Sequence, residues 1–132
     1  MSDLKRVAAY VRKAESDLRD ARLLLNAASP AGTINRAYYA LFDGILALLH
    51  TTDGPIPKTH TGAHTEFRKQ FIRTGIFAET YSSMITELFN LRQGGDYEID
   101  FAISIEDAQA AIEQANQFLM DVQAYCRQQG FV

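Results

Sequence analysis

With a single cysteine, Cys126, in 132 residues, the chain can form no intramolecular disulfide. Positive charge is not in excess: 13 Lys and Arg stand against 16 Asp and Glu, a formal net charge of −3. No global field therefore draws the chain to nucleic acid, and any RNA contact needs a local basic patch. Long apolar runs are missing too. The longest, Ile45 to Leu49, is far too short to span a bilayer, so no membrane association is expected. Residues 1–13 carry Lys5, Arg6, Arg12 and Lys13 without a continuous apolar stretch, so no secretory leader is expected and the cytoplasm is the expected compartment. A glycine-rich phosphate loop, paired cysteines and a His-Glu-x-x-His motif are all absent, and neither metal nor cofactor is expected.

What is present is an ordinary globular balance, 47% hydrophobic and 22% charged residues, in a length that suits one domain over residues 1–132. The apolar spacing is helical throughout. Leu4, Val11, Leu18 and Leu25 recur every seven residues, the seam of a long amphipathic helix whose other face carries Arg12, Glu15, Arg19 and Arg22. Ser29-Pro30 ends it and opens the next, since Ser can cap and Pro suits the first helical position. That second helix, running to about Thr52, is apolar over half its circumference through Ile34, Tyr38, Leu41, Phe42, Ile45, Leu48 and Leu49. Arg36, Ala40, Asp43 and Ala47 share its opposite, narrow face.

Asp53-Gly54-Pro55-Ile56-Pro57 breaks the chain. The pattern predicts a third helix from about Thr59 to Arg73, stopped by Gly75, and a fourth from about Ala78 to Gln93, terminated by Gly94-Gly95. Residues 94–103 read as a loop. Ser104 and Asp107 form a capping box for the last helix, which buries Ile105, Ala108, Ile112, Ala115, Leu119 and Val122 and ends at Gly130. The expected fold is all-α, an antiparallel up-and-down bundle of four to five helices.

Few residues suggest chemistry. Cys126 sits late in the last helix beside apolar positions and reads as a core or interface residue. His60 and His64 stand four apart, which is metal-ligand spacing. Only Glu66 offers a nearby carboxylate, so a structural or solvent-facing role is the expectation. Lys58 beside them is a surface charge or a phosphate contact. Arg92 is more telling, because it projects within about 40° of Leu88 and so lies on the packing stripe. A guanidinium there must find a partner or a cleft. Two readings stay open: Arg92 closes the helix end with Asp96 as its ion pair, or Arg92, Asp96 and Tyr97 line a polar cleft for a phosphate or base.

Asn35-Arg36-Ala37-Tyr38-Tyr39-Ala40-Leu41-Phe42, followed by Ala47-Leu48-Leu49, resembles the second-helix signature of the prokaryotic HEPN family (higher eukaryote and prokaryote nucleotide-binding). Lys58-Thr59-His60-Thr61-Gly62, Phe71-Ile72-Arg73-Thr74-Gly75, and Leu91-Arg92 followed by Asp96-Tyr97 are similar to that family's next blocks, in the same order. The resemblance implies a homodimeric helical bundle that partners a minimal nucleotidyltransferase as a toxin–antitoxin couple. It implies nucleotide or RNA binding by Arg36, Tyr39, Lys58, His60, Arg92, Asp96 and Tyr97. Many members of the wider family are metal-independent ribonucleases with an Arg followed, after four to six residues, by a His. The Arg carries over to Arg92. The His does not, because Tyr97 stands there and no His follows. Arg92 and Tyr97 are the catalytic candidates by position, yet a phenol is a poor base at neutral pH. His60 could substitute if the third helix folds over the cleft. In some related pairs the transferase attaches AMP to a Tyr near this motif, and Tyr97 is the nearest candidate. Binding module, ribonuclease and structural adaptor are the three functions left by the residues.

Overall fold

The computed structural model describes residues 2–132. Five α-helices are formed: α1 Ser2–Asn26, α2 Pro30–Leu49, α3 His60–Phe67, α4 Thr80–Tyr97 and α5 Ile105–Gln128. The four long ones alternate in direction. Asp17 meets Arg36 and Lys13 meets Asp43, so residue numbers climb on α1 as they fall on α2. Arg92 meets Tyr39 and Asp96 meets Asn35, so α4 is antiparallel to α2 in the same way. Glu15 meets Gln123 and Tyr81 meets Asp121, so α5 runs against both α1 and α4. The up-and-down bundle expected from the periodicity is therefore the fold. No helix among the described residues is long and apolar enough to cross a membrane.

α2 is the hub and packs on α1, α3, α4 and α5. Its wide apolar stripe is buried, and so is the narrow face opposite: Ala40, Asp43 and Ala47 are all 2% exposed or less. A helix hydrophobic over half its surface needs more than one neighbour, and this one is wrapped almost completely.

The helix ends follow local chemistry, with three departures from expectation. Pro30 opens α2, but the Ser29 side chain makes no capping bond; its carbonyl instead accepts from the Thr33 hydroxyl at 2.8 Å. Ala28, in the left-handed region at φ 58, closes α1 where a glycine would be less strained. The third predicted helix stays α-helical only to Phe67, and Arg68–Ile72 continues it in π-helical geometry. Arg68 then ties that segment to α4, donating to the Ser82 hydroxyl and carbonyl and to the Thr86 hydroxyl.

The third departure bears on the site. Gly94-Gly95 does not terminate α4, which runs on to Tyr97. A Cβ on Gly94 would collide with the Phe101 ring, and one on Gly95 would lie 2.8 Å from Ile103 Cδ1. The glycines are contact surfaces for the returning chain rather than breakers. The Ser104–Asp107 capping box forms as expected.

Candidate functional site

Thr59 caps α3 by accepting the Gly62 N–H at 3.0 Å. That sets His60 as the first helical residue and lays α3 across the middle of α2. Gly62 has no space for a side chain, since a Cβ would meet Pro57 Cβ at 2.9 Å. The imidazole of His60 stacks on Phe42 with centroids 4.2 Å apart, and its Nδ1 lies 2.8 Å from the Tyr38 hydroxyl. His64, one turn on, brings Nε2 to 2.9 Å from the same hydroxyl. The two histidines thus share a tyrosine. Among the described residues no group of three or more His, Cys, Asp or Glu could hold a metal ion.

Arg92 enters from α4. It is 8% exposed, and its guanidinium carbon lies 5.2, 5.6 and 5.5 Å from the ring centres of Tyr38, Tyr39 and Phe89. Aromatic faces stabilise a cation there but supply no hydrogen-bond acceptors. Nη1 alone is used: it donates to the Tyr39 hydroxyl at 3.4 Å and faces Asp96 Oδ2 at 3.7 Å. Nε is buried with no partner among the described residues. Nη2 has no protein hydrogen bond among the described residues and is not among the buried unpaired atoms, so it reaches solvent. A cation nine-tenths buried with donors to spare is under-satisfied.

Arg36 also lies over Tyr39, its guanidinium carbon 5.0 Å from the ring centre. Its Nη1 donates to Asp17 Oδ1 at 3.1 Å and its Nε to Asn35 Oδ1 at 2.9 Å. Asn35 in turn donates to Asp96 Oδ2 at 3.0 Å, so one chain of polar groups links α1, α2 and α4. Beneath it, Asp17 and Asp43 face each other between α1 and α2, with Lys13 3.1 Å from Asp43. Burial and then Asp43 itself raise the Asp17 carboxyl well above the ordinary range. A proton on the otherwise unpartnered Asp17 Oδ2 would bond to Asp43, which accounts for that orphan oxygen.

Burial lowers the proton affinity of His60, and the Arg92 charge lowers it further. His64 is pushed down to about 4 by burial, then by Arg68, His60 and Arg92. Both rings are therefore neutral at neutral pH. The Tyr38 phenol is shifted upward by its burial and keeps its proton.

The structure brings Arg36, Tyr39, His60, Arg92 and Asp96 to one region between α2, α3 and α4. It does not bring all the expected residues there. Lys58 is exposed just ahead of α3. Tyr97 is 76% exposed on the last turn of α4, and no hydrogen bond joins it to Arg92 among the described residues. By sequence Tyr38, Asn35, Asp17 and Asp43 carry no individual site role, and His64 stands out only by its spacing from His60. The available signal was an Arg and an Asp seven apart on one face of an apolar helix, which need buried partners.

Helices α2, α3 and α4 thus enclose a buried, under-satisfied guanidinium. The HEPN domain model matches residues 7–125, and the chain belongs to that family. Among its relatives is "Putative toxin MJ0605" of Methanocaldococcus jannaschii, 34% identical over 86% of this chain and 83% of the relative. A second protein of that organism under the same description is 31% identical over 87% of this chain and 78% of its own length. A UPF0332 protein of Thermotoga maritima is 31% identical over 90% of each chain.

Proposed function

We propose that this chain is the toxin-class member of a toxin–antitoxin pair and that it binds a nucleotide or RNA phosphate at Arg92. The observation that carries the reading is the guanidinium itself, 8% exposed, with Nε orphaned and no protein hydrogen bond from Nη2 among the described residues. A phosphate offers the oxygens that this geometry lacks, and a guanidinium is matched to them. The Tyr39 hydroxyl, beside Arg92 Nη1, provides a second donor for a phosphate oxygen. A structural adaptor would instead saturate Arg92 with intrachain bonds.

The names of the relatives support the toxin–antitoxin setting. Within it, the partner is a minimal nucleotidyltransferase and the chain acts as a homodimer. Tyr97, 76% exposed on the rim, is the side chain the transferase would modify with AMP. Intact-mass analysis after co-expression with a cognate nucleotidyltransferase and ATP tests that assignment, and an unmodified Tyr97 removes it.

For the binding reading, fluorescence anisotropy with a short single-stranded RNA is the direct test. Arg92→Ala should weaken binding by about tenfold or more, roughly 1.4 kcal/mol, with the far-ultraviolet circular dichroism unchanged. Equal affinity in the variant would refute it. A second reading, metal-independent RNA cleavage, is favoured by one observation: neutral His60 lies against the same tyrosine rings as Arg92.

A further inference from the structure

The Tyr38 hydroxyl has a single proton and two imidazole nitrogens beside it, at 2.8 and 2.9 Å. It can donate to one ring only, so the other must donate to it. Two wirings satisfy both contacts. In the first, His64 Nε2–H donates to Tyr38, Tyr38 donates to His60 Nδ1, and His60 carries its proton on Nε2. In the second, His60 Nδ1–H donates to Tyr38, Tyr38 donates to His64 Nε2, and His60 Nε2 is a bare lone pair. Only the second survives protonation of His60, because both nitrogens of an imidazolium donate.

His64 suits the role of permanent acceptor, being 4% exposed and buried among aromatic rings. His60 Nε2 has no protein partner among the described residues and is not among the buried unpaired atoms, so it meets solvent. The charged and titratable groups bearing on His60 are Arg92 of α4, Asp43 of α2 and His64 of its own helix.

We propose that His60 is the proton acceptor of this site and that His64, acting through the Tyr38 hydroxyl, is the positioning residue that leaves His60 Nε2 free. The assignment rests on the RNA-binding reading above. With a phosphate on Arg92, the neighbouring ribose 2′-hydroxyl gives its proton to His60 Nε2 as its oxygen bonds to phosphorus. The bond from phosphorus to the 5′ oxygen breaks, and that oxygen takes a proton from water. The hydroxide left behind recovers the proton from His60. The products are a 2′,3′-cyclic phosphate and a 5′-hydroxyl.

Nitrogen-15 NMR of the wild-type histidine rings at neutral pH tests the wiring without any variant. His60 should be protonated on Nδ1 alone, and His64 should be unprotonated on Nε2. A His60 protonated on Nε2 overturns the proposal. Cleavage of a short fluorescein-labelled single-stranded RNA in EDTA tests the role. His60→Gln should lose about 100-fold or more. Tyr38→Phe should lose about 10-fold and shift the His60 tautomer, with RNA affinity kept. Cleavage that survives His60→Gln overturns the proposal. A non-cleavable 2′-methoxy RNA separates the two levels. Bound in an Arg92-dependent way while the natural RNA stays intact, it sinks only the acceptor assignment. Not bound at all, it sinks the underlying reading and the assignment with it.

Discussion

The bundle contains two aromatic clusters built on different terms. One lies between α4, α5 and the π-helical segment, where Phe67, Phe71, Phe77 and Phe118 pack edge to face and stacked. Its buried polar atom is satisfied, because the Tyr81 hydroxyl donates to Asp121 in a short bond. The other surrounds Tyr38 and admits two histidines and a guanidinium among its rings. Aromatic density alone therefore does not mark a site. An unpaired donor inside the density does, because a fold gains nothing by leaving it so.

The largest effect should come from the satisfied cluster. Phe118 is fully buried against Phe67, Phe77 and Tyr81, and its ring fills the space over Gly44. Phe118→Ala should cost about 3–5 kcal/mol in urea unfolding, through lost burial and a residual cavity. A cost below about 1 kcal/mol would mean that this cluster is not the structural one.

Titration distinguishes the clusters next. His64 falls to about 4 in the folded chain, against about 6.5 unfolded. Between those values the unfolded chain binds the proton more readily. Stability is therefore full above about pH 6.5 and falls as pH drops toward 4, by about 2–3 kcal/mol. Asp17 works in the opposite sense, since its raised carboxyl holds a proton that the unfolded chain releases, so it loses stability as pH rises above the ordinary carboxylate range. The two partly cancel in the wild type. Asp17→Asn should uncover a plain rise in urea midpoint from about pH 4.5 to 7, and a flat profile in that variant would contradict the neutral His64.

The smallest effect is the sharpest test of the contrast. Arg92→Met removes a charge held by rings and two long contacts, so thermal stability should change by less than about 1 kcal/mol, or rise. A fall of several kcal/mol would make Arg92 a structural tie of the same kind as the Tyr81–Asp121 pair.

The helices were legible because apolar residues at three and four spacing leave little choice once a core must close. Gly94-Gly95 misled because a glycine pair signals a stop only where no neighbour needs the room; here Phe101 and Ile103 do. The π-helical turn at Arg68–Ile72 carries no local signature, since its register is set by what α3 and α4 must satisfy together. Arg92 could be singled out because a charge on a packing stripe is a local contradiction. What spacing could not show is that His60 and His64 share one hydroxyl, because Tyr38 stands 22 and 26 positions away on another helix. Asp17 and Asp43 pair across α1 and α2, which no spacing within one helix reveals.

The seat of Phe101 on Gly94 has an evolutionary consequence. The turn of α4 that bears Asp96 and Tyr97 is braced by side chains borrowed from residues further along the chain. Drift at positions 101 and 103 can therefore tilt the end of α4 while Arg92, Asp96 and Tyr97 stay the same. Two chains with the same residues at 92, 96 and 97 can therefore hold them at different angles.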